Sequence, residues 1–314
     1  MMHFPGQTIL VTGAGGFIGS ALVGRLQAAG DRVHGLVRPG ATPPARWDAA
    51  AVVHCDLRDA ATLAEVFATL RPGIVFHLAS SPDGAETFAH AQATVDNNLS
   101  ATLNVLEAFR ASGSGGVLVY GDSCKSYGNV EVPYRADSAD RPNSSYAISK
   151  AAGWSFCRLY AHLHGFATVA IRPTLLYGPG QGFNLFTYLH REVRAGHREI
   201  NLMGGKQTRD PLYIDDAVDA YLAAARTDLD QKAIPIGGGT EHTVLDIAAR
   251  FVELLAPECT IACSDAEMRP TEILRSYSDN RLATALLKWQ PRVSLEEGFR
   301  RTIEFLDAAH PRSS

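Results

Sequence analysis

The chain has 314 residues, 46% of them hydrophobic and 20% charged, with a formal net charge of -4. That balance excludes a basic nucleic-acid-binding surface, and no apolar run approaches the roughly 20 residues of a membrane span. Cys55, Cys124, Cys157, Cys259 and Cys263 are scattered and odd in number, which suits neither a disulfide framework nor a structural metal.

TILV (8–11) predicts a strand, and GAGGFIGSALVGRLQAAG a glycine-rich turn that opens a helix. The start MMHFPGQTILV lacks the charged residues and apolar run of a signal peptide, so the expectation is a reduced, cytoplasmic protein. RVHGLV (32–37) and VVHCDL (52–57) predict further strands, the second leading into the periodic helix ATLAEVFATL. IVFHLA (74–79) precedes a helix over about 94–111. VLVYGDS (117–123) precedes one over about 145–164, and ATVAIRP (167–173) follows. Strand and helix alternating at this spacing imply a parallel sheet covered on both faces.

After Pro173 the rhythm changes. LLYGPGQGFN reads as a loop, FTYLHREVRAG as a helix, and NLMGGKQTRDPLYIDD as turns around one short strand. IPIGGG reads as one more strand of the sheet, and 241–310 as two helices with a KWQP turn. The expected fold class is α/β, a Rossmann-type doubly wound parallel sheet with a smaller, partly interleaved C-terminal α/β domain. The expected division gives 1–174 to the nucleotide domain, with a returning segment near 212–237. It gives 175–211 and 238–314 to the substrate domain.

The first turn carries the clearest chemistry. Gly13, Gly16 and Gly19 recur every third residue between a strand and a helix. A tight turn needs a residue without Cβ, and a helix N-terminus offers free N–H groups to a pyrophosphate. The end of the second strand selects the cofactor, because a carboxylate there would bind the adenosine ribose. Val37 holds that place and Arg38 follows. An arginine can pair with a 2′-phosphate, so NADP(H) is favoured, with NAD(H) as the alternative. Asp56 sits where a carboxylate can accept from the adenine amino group.

In YAISK, Tyr146 and Lys150 are four residues apart and share a helix face. An ammonium beside a phenol favours the phenolate. Ser123, at the end of the fifth strand, adds a hydroxyl where parallel sheets bind ligands.

TGAGGFIG, HCDL, VFHLA, NLSATLNVLEA, YAISK, RPTLLYGPG, RDPLYIDD and KWQP together resemble the extended short-chain dehydrogenase/reductases, over residues 7 to 306. These are epimerases, dehydratases and reductases of nucleotide sugars. VHGLVRPG and MRPTEI resemble the branch acting on GDP-mannose derivatives. The resemblance implies a Ser123/Tyr146/Lys150 triad and a cofactor lined by Phe17, Ile18, Leu57, Leu78, Ala79 and Asn98. It also implies that Arg209 and Arg269 clamp a diphosphate, with Lys125 and Asn184 near the sugar. A homodimer through the two helices around 94–111 and 145–163 is expected, because both carry apolar residues on more than one face.

The stretch GDSCKSYG refines the reaction. Dehydratases of this family resemble one another in an acid and a base just after the Ser or Thr. Here Cys124 and Lys125 stand there, so dehydration is disfavoured. The double epimerase/reductases carry a Cys one place later, and Asn184 replaces their His. Cys124 therefore reads as a small buried thiol. Reduction of a 4-keto-6-deoxy sugar by NADPH, GDP-linked by preference, is the favoured outcome. Epimerisation at C4 is the alternative, and a non-catalytic NADP sensor is disfavoured because the triad is intact. Leu175 stands where the family commonly has a substrate-contacting Asn.

Overall fold

Strands that are apolar on both faces must be covered on both faces. The structure, a computed structural model, describes residues 2–44, 47–82, 85–264 and 268–309. β1 (Thr8–Thr12), α1 (Phe17–Ala28), β2 (Arg32–Val37), β3 (Val52–His54), α2 (Ala60–Leu70) and β4 (Ile74–His77) come first. α3 (Phe88–Thr94), α4 (Ala101–Ser112), β5 (Val117–Gly121), α5 (Ser145–His164) and β6 (Ala167–Pro173) follow. Every residue of β4, β5 and β6 is buried.

The second half contains β7 (Leu175–Tyr177), α6 (Leu185–Arg194), β8 (Glu199–Met203), β9 (Thr208–Arg209) and β10 (Pro211–Tyr213). It continues through α7 (Ile214–Ala224), β11 (Lys232–Ile236), β12 (His242–Thr243), α8 (Val244–Leu255), β13 (Thr260–Ser264), α9 (Arg281–Leu287) and α10 (Leu295–Ala309).

The main sheet has seven strands in the order β11-β6-β5-β4-β1-β2-β3. All its pairings are parallel. Successive strand residues feed opposite layers. Ile9, Val11, Phe76, Val119 and Ile171 belong to one core, and Leu10, Val75, Leu118 and Ala170 to the other. The strand order reverses between β1 and β4, and a crevice opens at the carboxyl ends there. The fold is the α/β class that the sequence implied. No helix among the described residues is long and apolar enough to cross a membrane.

Several local expectations change. The helix over 94–111 is two α-helices joined by a π-helical turn over Val95–Ser100. LLYGPG is a loop only in part, because 175–177 pairs in parallel with β10. Local pattern cannot reveal a partner that distant. Tyr177 then enters an aromatic cluster, 5.2 Å from Phe186 and 5.5 Å from Phe299. The segment read as one short strand holds three, β8, β9 and β10. The tail holds three helices and β13, which pairs with β8. The RDPLYIDD and KWQP motifs meet through Asp216. Its carboxylate accepts the N–H groups of Arg292 and Val293, each at 3.0 Å, and its carbonyl accepts Trp289 Nε1 at 2.8 Å.

Candidate active site

The turn from β1 to α1 is built by close backbone approach. Gly13 has φ +65°, and a Cβ there would lie 2.6 Å from Ala79 Cα. A Cβ on Gly19 would lie 2.3 Å from the Gly13 carbonyl oxygen. Gly16 starts α1 without a side-chain cap, so its first-turn N–H groups are free for an anion. A cavity of about 400 Å³ opens beside this turn. Gly13, Gly16, Arg38, Asp56, Leu57, Leu78 and Ala79 all line it. The glycine cradle, which any side chain would fill, fits the adenosine–pyrophosphate end of a dinucleotide.

Phe17 and Ile18, in the first turn of α1, also pack against the core. Asn98 is 1% exposed and does not line the cavity; Asn97 does. The Asn98 side chain instead accepts Ser81 N–H at 2.7 Å and donates to Ser81 O at 3.1 Å and Ser149 Oγ at 3.0 Å. It thereby ties the loop after β4 to α5. Asp56 lines the cavity but carries the Arg58 guanidinium, with Nη2 at 2.6 Å. That pairing pulls its carboxyl down to about 2. Arg38 is exposed at the rim. Gly15 and Ser81 also line the cavity and escaped the reading. Gly15 was legible as an extra glycine in the run.

At the end of β5 the side chains of Ser123, Tyr146 and Lys150 converge. Tyr146 stands in the first turn of α5, capped by Ser144, whose Oγ accepts Ala147 N–H at 3.2 Å. The hydroxyls of Ser123 and Ser80 reach the Tyr146 phenol and favour its ionised form. Ser80 was not anticipated; its signal was its place directly after β4, in HLASS. Burial, with the nearby Asp122 carboxylate, outweighs these bonds and pushes the phenol up to about 12. Lys150 is 2% exposed and donates from Nζ to Gly121 O at 2.7 Å, 5.9 Å from the Tyr146 ring centre. Burial lowers its ammonium to about 8. A bound cationic cofactor would favour the phenolate that burial opposes.

Beneath Ser123 lies a buried ion pair. Asp122 accepts Ser123 N–H at 2.8 Å, Ser126 Oγ at 2.8 Å and Arg172 Nε at 2.6 Å. Arg172 also holds Asp140 by two bonds, 2.6 and 2.9 Å. Ser123 caps a 3-10 turn over Cys124–Tyr127, its Oγ accepting Lys125 N–H at 3.2 Å. Cys124 is 2% exposed and its Sγ donates to Arg172 O at 3.0 Å. Burial pushes this thiol well up. It is the buried thiol expected, although a turn, rather than strand alternation, sends it inward. Lys125 is exposed, with Nζ 5.6 Å from the Tyr146 ring centre.

The remaining residues expected to meet a substrate divide. Arg209 donates to Thr208 O at 2.7 Å and Ile273 O at 2.8 Å, and pairs with Glu272. Arg269 is exposed on the segment 268–278 and acts on the Lys125 charge, as Arg209 and Glu272 do. Asn184 does not offer a free side chain. It caps α6 in a capping box with Thr187 and donates to Gln181. It is a helix-start signal of the capping-box kind. The segment 268–278 is laced across this face. Asn129 Nδ2 donates to Glu272 O at 2.8 Å, Asn143 Nδ2 to Thr271 O at 3.2 Å, and Tyr134 OH to Arg275 O at 3.0 Å.

A larger opening, about 770 Å³, lies around Tyr277, Arg281 and Gln290. None of the triad lines it, so chemistry rather than size identifies the site. Among the described residues there is no cluster of metal-ligating side chains.

The profile of the NAD-dependent epimerase/dehydratase family matches residues 9–237. The chain is 31% identical to a UDP-glucose 4-epimerase of Mycolicibacterium smegmatis, covering 94% of this chain and 97% of that one. It is 26% identical to a GDP-6-deoxy-D-mannose reductase of Pseudomonas aeruginosa, over 95% of this chain and 96% of that one. A UDP-glucose 4-epimerase of Thermus thermophilus, solved with NAD, superposes with a TM-score of 0.84 at 28% identity, covering 96% and 99% of the two chains.

Proposed function

Since the chain belongs to the NAD-dependent epimerase/dehydratase family, we propose that it moves a hydride at C4 of a nucleotide-diphospho sugar with Tyr146 as acid/base. The observation carrying this reading is Tyr146 in the first turn of α5 with the ammonium of Lys150, held by the Gly121 carbonyl at the end of β5, 5.9 Å from its ring centre. The nicotinamide, when bound, supplies or receives the hydride. Ser123 orients the C4 oxygen, and Tyr146 gives or takes its proton. Asp122 and Arg172 hold the Ser123 backbone in place. Arg209 and Arg269 supply positive charge for the diphosphate, Arg209 being shared with Glu272.

The finer reading is net reduction of a 4-keto-6-deoxy sugar by NADPH, GDP-linked by preference. Arg38 supports it: this cation stands on the rim of the cofactor cavity, and β2 ends on Val37 rather than on a carboxylate. The absence of a carboxylate pair beside Ser123 argues against dehydration. A second reading, C4 epimerisation with retained cofactor, is favoured by the 31% identity to a UDP-glucose 4-epimerase. The two separate in one assay. A GDP-4-keto-6-deoxy-hexose is incubated with NADPH and then with NADH. Stoichiometric oxidation of NADPH is the expected result. Interconversion of a UDP- or GDP-hexose pair without net oxidation would replace reduction by epimerisation.

The same reading includes a homodimer. α5 exposes Ile148 at 54%, Leu159 at 46% and Leu163 at 60%, next to Val95 at 47% on the neighbouring π turn. An apolar stripe of this kind suits a helix from a second copy. Sedimentation as a monomer at micromolar concentration would remove it.

A further inference from the structure

Two ammonium groups lie within about 6 Å of the Tyr146 ring centre. Lys150 Nζ lies 5.9 Å from its ring centre and Lys125 Nζ 5.6 Å, from different elements of the fold. Lys150 belongs to α5 and is fixed by the Gly121 carbonyl. Lys125 belongs to the 3-10 turn after β5, whose N-cap is Ser123. We infer that Lys125 is a positioning residue of the reaction, a second cation that stabilises the Tyr146 phenolate alongside Lys150. This rests on reading Tyr146 as the acid/base.

The electrostatics call for such a group. Asp122 and burial both oppose the phenolate, while the Ser80 and Ser123 hydroxyls support it. Tyr120 on β5 and Tyr221 on α7 also face it; as neutral phenols they add no charge near neutral pH. Lys150 is itself partly discharged by burial, so it is an incomplete counter-ion near pH 8. Lys125 is the other cation at the ring. Desolvation first, then Arg209 and Arg269, lower its ammonium from the ordinary value, while Glu272 and Glu86 sustain the charge. Glu86 is held nearby by Ser145, whose Oγ donates to it at 2.6 Å. Lys125 is exposed, so water screens part of its charge.

At about 6 Å and an effective dielectric between those of protein and water, one unit charge moves a titration by on the order of one pH unit. The test places 3-fluorotyrosine at position 146 and follows its ¹⁹F shift against pH with NAD⁺ or NADP⁺ added. In K125M the midpoint should rise by about one unit, and in K125R it should stay near that of the parent protein. The midpoint of the hydride-transfer pH profile should move the same way. Unchanged midpoints in K125M overturn the inference, whatever happens to turnover. A midpoint raised equally in K125R and K125M assigns the effect to shape rather than charge and also overturns it. Loss of the parent assignment of Tyr146 is a separate outcome, read from Tyr146→Phe retaining full turnover. Because Lys125 is exposed, K125Q provides a second neutral variant should K125M fail to fold.

Discussion

The two walls of the site are built from different materials. The cofactor wall, at the carboxyl ends of β1, β2 and β4, is mostly backbone: Gly13 against Ala79, Gly19 against the Gly13 carbonyl, and an uncapped helix start. The wall proposed for the substrate is mostly side chain. Asp122, Arg172 and Asp140 form its base, and Asn129, Asn143, Tyr134 and Arg209 lace the segment 268–278 across it. A wall of glycines tolerates almost no added atom, yet it can be recognised from a short pattern. A wall of paired polar groups admits variation one pair at a time, which is how one fold serves many sugars.

Where the walls meet, Tyr146→Phe should have the largest effect. It should lower turnover by about 10²–10⁴-fold and leave cofactor binding in place. Steady-state rates beside a cofactor titration separate the two. Within the substrate wall, Arg172→Met should cost about 3–5 kcal/mol of stability, because it leaves Asp122 buried without its counter-ion. Urea unfolding measures this; a loss below about 1 kcal/mol would mean that the Ser123 and Ser126 donors suffice for Asp122.

The lacing is weaker at each point. Asn129→Ala should cost about 1 kcal/mol and raise the substrate KM while leaving cofactor affinity unchanged. If both affinities fell together, the walls would not be separable. On the cofactor side, Arg38→Ser should reduce any preference for NADP(H) over NAD(H) by roughly tenfold, the value of one charged hydrogen bond. Thermal shifts with each cofactor would reveal it.

The last effect appears only in acid. His77 is fully buried between Thr12 Oγ1 at 2.7 Å and Thr102 Oγ1 at 2.9 Å, and burial lowers it to about 3 from 6.5. Its neutral form is the folded one. The stability it contributes is therefore complete above pH 6.5 and is lost as pH falls toward 3. In His77→Gln that part of the acid slope, at most about 1.4 kcal/mol per pH unit, should vanish. Urea midpoints from about pH 7 down to about pH 4 test it.

The legibility of the two walls follows their materials. Gly13, Gly16 and Gly19 could be read because only a missing Cβ meets the geometry of that turn, whatever surrounds it. Tyr146 and Lys150 could be read because one helix turn fixes their relation. Asn184 and Asn98 could not be assigned a role from the sequence for the converse reason. An asparagine serves as helix cap, loop clasp or ligand with the same side chain, and only its neighbours decide which. Ser80 was missed because its partner, the Tyr146 phenol, lies far along the chain.

The sequence by itself determined the parallel sheet, the glycine turn, the helix that sets Tyr146 beside Lys150 and the family, because each follows from short-range period or from local steric need. The tertiary structure decided what faces what. It turned Cys124 inward and Lys125 toward the phenol, committed Arg209 to Glu272, and made a strand of 175–177. Those outcomes depend on partners distant in the chain, and no local pattern encodes the distance between two side chains that only folding brings together.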